Sequence, residues 1–180
     1  YCDFNTYTAA ELGSAPGTSR EAYLESVARE VALARGVLGD PPPFATVFFG
    51  GGTPTLLDPP EQGGILARLR DEFGLAPDAE VTTEANPDSV TPASLERLVE
   101  AGFTRISFGM QSSAPHVLRM LERTHTPGRA LEAVRWAREA GFSSASLDLI
   151  YGTPTETLDD WRATVEDALT AEPDHLSAYS

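Results

Sequence analysis

Five short runs rich in apolar, β-branched and aromatic residues alternate along this chain with stretches of helical period. The runs are "ATVFFGG", "AEVTTEANP", "TRISFGMQS", "SASLDLIYG" and "DHLSAYS". The helical stretches span Ser19 to Leu38, Glu61 to Phe73, Pro92 to Ala101, Gly128 to Ala140 and Leu158 to Ala171. Strands separated by helices pair in parallel, through right-handed crossovers. Two architectures meet that demand, a doubly wound sheet and a barrel. "GGGTP" lacks the G-x-G-x-x-G spacing of a dinucleotide fold, and Pro54 interrupts the expected helix entry. Polar or glycine residues close nearly every strand: Gly50 to Thr53, Glu84 and Asn86, Gln111 and Ser112, Tyr151, and Tyr179. In a barrel, chemistry collects on that C-terminal rim. The reading is an α/β chain forming a partial (β/α) barrel around a parallel sheet.

Local chemistry supports the boundaries. Thr91 precedes Pro92 in "TPASLERL", a hydroxyl cap before a proline at the first helical position. "TSREAYLE" and "TLDDWRA" also open on a hydroxyl followed by acids, which suits the positive end of a helix. "AGF" occurs at Ala101–Phe103 and again at Ala140–Phe142, each time between helix and strand, with its glycine placed as a C-cap. The recurrence marks a repeated αβ unit.

A chain of 180 residues suits one domain. Cys2 is its sole cysteine, so no internal disulfide can form, and a cytoplasmic protein is expected. The sequence holds no apolar run of about 18 residues, hence no expected transmembrane segment, and no basic, apolar-cored leader. A formal net charge of −14 argues against non-specific nucleic-acid binding and reads as a solvated acidic surface. The chain starts without methionine in a loop-like stretch and closes on the strand-like "HLSAYS". A fragment truncated at both ends is therefore expected.

Several residues invite chemistry. Three glycines after a buried strand in "FFGGGTPT" let a ligand approach the main chain, although a tight turn would also use them. Glu84 ends a strand and could accept hydrogen bonds from ligand hydroxyls or an amine, whereas Asn86 and Pro87 beside it suit an Asx-turn. Gln111, just beyond a strand, can both donate and accept, which fits an adenine, ribose or carboxylate partner, or water. Arg123 could grip a carboxylate. His116, His125 and His175 are too scattered for a metal site and read as polar or loop residues. Asp148 places an acid in an apolar strand, where it either caps a loop or faces a ligand. No G-x-S-x-G elbow or Walker loop is present, and no catalytic residue is nominated.

Together, "YCDF", "GGGTPT", "TTEANPDSVT", "GFTRISFGMQS", "LERTHTPGRALEAV", "DLIYGTPTET" and "DHLSAYS" resemble the oxygen-independent coproporphyrinogen oxidase family of radical SAM proteins. The resemblance runs through essentially the whole chain in unbroken order. It implies a partial barrel of radical SAM type over residues 1–180, with the cluster loop incomplete and the end of the barrel and a C-terminal domain missing. It also implies that Cys2 is the third cysteine of a C-x-x-x-C-x-x-C loop. Three such thiolates hold a [4Fe–4S] cluster and leave one iron open to the amine and carboxylate of S-adenosylmethionine. An electron from the cluster then cleaves the sulfonium C–S bond, giving a 5′-deoxyadenosyl radical. By the same resemblance Tyr1 and Asp3 flank the cluster cysteine. Gly51 lies near the S-adenosylmethionine amino group, with Gly52 and Thr53 beside it. Glu84 matches the family's S-adenosylmethionine glutamate, and Gln111, Arg123 and Asp148 match further positions lining that cavity.

"YCDF" is closer to the heme-chaperone branch of the family than to the oxidase, which tends to carry C-G-C there. That branch implies heme as a further cofactor, delivered to acceptor proteins such as respiratory enzymes, with no heme ligand assignable in these residues. The alternative is the oxidase itself, which decarboxylates coproporphyrinogen III propionates to vinyl groups. A third reading is an α/β ligand-binding fragment without a cluster.

Overall fold

The structure is a computed structural model that describes residues 19–123 and 126–180. Its elements alternate as expected. Helix α1 (Arg20–Leu38) leads to β1 (Phe44–Phe49), α2 (Pro59–Phe73), β2 (Leu75–Ala85), α3 (Pro92–Ala101) and β3 (Arg105–Gln111). A short α4 (Pro115–Met120) precedes α5 (Arg129–Ala140), β4 (Ser144–Ile150), α6 (Leu158–Thr170) and β5 (His175–Tyr179). Single 3-10 turns at Pro54–Leu56 and Pro87–Ser89 follow β1 and β2.

The caps explain most boundaries. Ser19 accepts from Ala22 N–H, Thr91 from Ser94 N–H and Thr157 from Asp160 N–H, each filling an orphan donor of a first turn. Gly102 and Gly141 close α3 and α5 in the left-handed region, as the repeated "AGF" anticipates. Helix α2 starts at Pro59, not Glu61. Glu61 instead reaches back, and its carboxylate accepts from Asp58 N–H at 2.7 Å. Strand β2 starts earlier than "AEVTTEANP" suggests, because Leu75 already pairs with Phe44. The register then slips, so that Thr46 faces Glu80. Pro77, which has no N–H to donate, sits in the residues that bulge out. Helix α4 was not foreseen; six residues are too few to show a period.

All five strands are parallel, and their spatial order is their sequence order, β1-β2-β3-β4-β5. A doubly wound sheet reverses order at a switch point. None occurs here, so the right-handed crossovers place the helices on one face and the sheet forms a half-barrel. The covered face holds the core. Ile106, Phe108 and Met110 of β3 and Ala145, Leu147 and Leu149 of β4 pack with Leu95 and Leu98 of α3. Ala130, Ala133, Val134 and Ala137 of α5 complete that layer, and their small side chains let the helix lie close to the sheet. Fully burying a leucine or phenylalanine contributes about 1.5–3 kcal/mol. No helix among the described residues is long and apolar enough to cross a membrane.

Candidate functional site

Parallel strands put all their C-terminal ends on one rim, and the alternation of side chains decides what that rim presents. On β3, Arg105, Ser107, Gly109 and Gln111 share the face opposite the core. The register sets Ser107 beside Glu84 of β2, and Gly109 beside Asp148 of β4. Three of the expected residues, Glu84, Gln111 and Asp148, thus converge through sheet geometry alone.

The glycine turn after β1 meets Glu84 directly. Gly51 N–H donates to Glu84 Oε2 at 3.2 Å, and Gly51 holds φ at 129°, a value that side chains disfavour. Gly52 offers its carbonyl to Thr53 Oγ1 at 2.7 Å, which orients that hydroxyl within the turn. Asn86 does form the Asx-turn, accepting from Asp88 N–H at 3.0 Å. Glu84 takes no part in that turn; its carboxylate is engaged by Gly51 N–H instead.

Glu84 and Asp148 are carboxylates under strain of charge. Burial pushes Glu84 above the usual carboxylate range; the Gly51 N–H opposes this, and the negative charge of Asp148 adds to it. Burial likewise pushes Asp148 up, against the hydroxyls of Ser107 and Ser177 and the charges of Arg105 and His175. Each group is half-buried, and the charge of Asp148 is felt at Glu84.

Gln111 ends β3 in the left-handed region, with φ 65°, just after a register shift between Gly109 and Gln111. Its side chain folds back over Gly109. A Cβ at Gly109 would lie 2.8 Å from Gln111 Nε2 and 3.9 Å from Arg123 Nη2. The absent side chain is therefore what leaves room for the Gln111 amide above the sheet, with the Arg123 guanidinium close by. The loop that follows is tied down by Thr164 of α6, whose Oγ1 lies 3.1 Å from Ser112 Oγ and accepts from Ser113 N–H at 3.1 Å.

Tyr1, Cys2, Asp3 and His125 lie outside the described residues. The two other histidines are not in loops. His116, on α4, sits 3.4 Å from Asp160, and His175, on β5, lies 3.5 Å from Ser177 Oγ. Among the described residues, no group of three or more His, Cys, Asp or Glu could hold a metal ion. Sequence reasoning missed Arg105, Ser107, Gly109 and Ser146. Their signal was present as a polar residue at every second position of "RISFGMQ" and "SASLD".

Fold and rim together define a class. Residues 1–168 match the radical SAM superfamily, and the chain belongs to it. That superfamily is built around a [4Fe–4S] cluster and S-adenosylmethionine. More particularly, the heme chaperone HemW of Mycobacterium tuberculosis is 50% identical over all of this chain and 45% of its own length. The heme chaperone HemW of Escherichia coli is 37% identical over 99% of this chain and 46% of its own. The solved structure of coproporphyrinogen III oxidase (HemN) from Escherichia coli, a radical SAM enzyme, superposes with a TM-score of 0.80 at 31% identity, covering 88% of this chain and 36% of that one. The chain spans about half the length of the curated relatives it matches.

Proposed function

We propose that residues 1–180 are the radical SAM core of a heme chaperone. In this reading Cys2 is a thiolate ligand of the [4Fe–4S] cluster, flanked by Tyr1 and Asp3, and the rim from Gly51 to Asp148 seats S-adenosylmethionine. The observation that carries it is the pair of half-buried carboxylates, Glu84 and Asp148, both pushed towards their neutral forms at the strand ends. A ligand bearing an ammonium, a sulfonium and ribose hydroxyls supplies the positive charge and donors that such a pair lacks. Glu84 accepts from the amine beside the Gly51 turn, with Gly52 and Thr53 lining the approach. Asp148 accepts from donors deeper in the site. Gln111, able to donate and accept, meets a nucleoside edge, and Arg123 a carboxylate. When bound, the cluster and S-adenosylmethionine supply one-electron chemistry. The chain's own part is to orient the cosubstrate and shield it from water.

The assignment of heme as cargo, handed to acceptor proteins, is supported by "YCDF" and by the 50% identity to a heme chaperone. The net charge of −14 supports an absence of nucleic-acid partners, and the single cysteine supports a cytoplasmic site of action. The test uses the full-length, cluster-loaded protein under anaerobic conditions. Titration with heme is expected to give a saturable visible spectrum and transfer to an apo-acceptor, and incubation with coproporphyrinogen III to give no vinyl product. Turnover to protoporphyrinogen IX without stable heme binding would instead establish the oxidase.

A further inference from the structure

Beneath the rim lies a line of polar groups on β3 and β4 that runs to Asp148. Arg105 Nη2 donates to Ser146 Oγ at 3.0 Å, Ser146 Oγ donates to Ser107 Oγ at 2.6 Å, and Ser107 Oγ stands 3.0 Å from both Oδ1 and Oδ2 of Asp148. Sheet register makes the line, since Ser107 pairs with Ser146 and Gly109 with Asp148. Ser146 is 0% exposed and Ser107 5%, so water does not substitute for either hydroxyl.

The direction of this line is fixed by proton counting. A guanidinium has donors and no acceptor, and a hydroxyl has one proton to give. Ser146 must therefore accept from Arg105 and spend its only proton on Ser107. Ser107 must then spend its own on Asp148. Every hydroxyl donates once, always towards the carboxylate, and hydrogen bonds aligned in this way reinforce one another.

We propose that Arg105, Ser146 and Ser107 form a one-way hydrogen-bond chain that fixes Asp148 as an acceptor, so that the site selects a ligand presenting hydroxyl or ammonium donors there. The inference rests on the reading of the rim as the S-adenosylmethionine site. Arg105, Ser146 and Ser107 are positioning residues; Asp148 alone makes the contact. A carboxylate has about four acceptor positions, and the hydroxyls of Ser107 and Ser177 leave the rest for the ligand. The charged and titratable groups facing Asp148 are Glu84 from β2, Arg105 from β3 and His175 from β5.

The test is a double-mutant cycle read by calorimetric S-adenosylmethionine affinity, on the full-length protein with its cluster oxidised. Ser107→Ala is expected to weaken binding about tenfold, the scale of one hydrogen bond to a charged group. The acid limb of affinity should move to higher pH, because the ionised form of Asp148 loses support. Ser107→Thr, which keeps the hydroxyl, should restore both. On an Asp148→Asn background, where the amide oxygen can still accept but no carboxylate remains to be held ionised, Ser107→Ala should cost much less and leave the acid limb in place. Glu84 and His175 are present in every arm, so the difference between backgrounds isolates Asp148. Should Ser107→Ala unfold, Ser146→Ala cuts the chain one bond further away and is expected to give a smaller loss of the same kind. An equal loss in both backgrounds, or an unmoved acid limb, overturns the chain and leaves the site standing. An Asp148→Asn protein that binds as tightly as wild type overturns the site reading and the chain with it.

Discussion

The two faces of strand β3 are made from alternate residues of one seven-residue run, yet they have different tasks. Ile106, Phe108 and Met110 are buried against the helices, in the main hydrophobic core. Arg105, Ser107, Gly109 and Gln111 look into the half-barrel and carry hydrogen bonds, an empty Cβ position and a left-handed turn. The difference teaches that stability and recognition are separated here by a single Cα–Cα step. Substitutions one residue apart should therefore fail in different ways.

The largest effect is expected on the covered face. Phe108→Ala should cost about 3–5 kcal/mol, measured by denaturant unfolding, since a fully buried ring leaves a cavity. Its neighbour across the sheet plane should behave otherwise. Gly109→Ala should leave the unfolding midpoint nearly unchanged, because the new methyl meets the far end of the Gln111 side chain. Displacing that amide should weaken S-adenosylmethionine binding about tenfold, the scale of one hydrogen bond. A large loss of stability at Gly109 would break the separation of the faces.

Glu84→Gln sharpens the comparison, since it should stabilise the ligand-free fold while weakening the ligand. The folded protein holds Glu84 above its ordinary range, so it binds more protons than the unfolded chain just above that range. Ligand-free stability from this group therefore falls as pH rises through that window and is recovered as pH falls. The advantage of Glu84→Gln over wild type should be greater at pH 7 than at about pH 5, as read by unfolding free energies. The smallest effect belongs to neither face. Arg29→Ala breaks an exposed pair with Glu25 and should change stability by no more than about 0.5 kcal/mol.

The sequence declared the covered face clearly, because apolar periodicity and caps are local signals. Every expected strand and helix is present, and the terminal rim residues fall where a barrel would put them. What stayed hidden depends on register. Nothing local tells that Ser107 lies beside Ser146, which follows it by 39 positions in the chain. Nor does "SFGMQ" announce that Gly109 is empty so that Gln111 can fold back across it. Likewise, Asp88 accepts from Thr126 N–H at 2.7 Å and pairs with Arg129 at 3.3 Å, clasping the β2 turn to the start of α5 through residues far apart in sequence.

The neighbour-to-neighbour strand order also bears on how the molecule is made. Each strand docks on the one synthesised just before it, so the sheet can grow from its N-terminal side while the chain is still leaving the ribosome. At ordinary translation speeds an αβ unit emerges in roughly two to eight seconds, long compared with the docking of a helix or strand. Each unit can therefore settle before its successor appears, and no strand waits for a distant partner. The edge on which the next strand docks is always the newest one, a moving front that passes along the nascent chain as it lengthens.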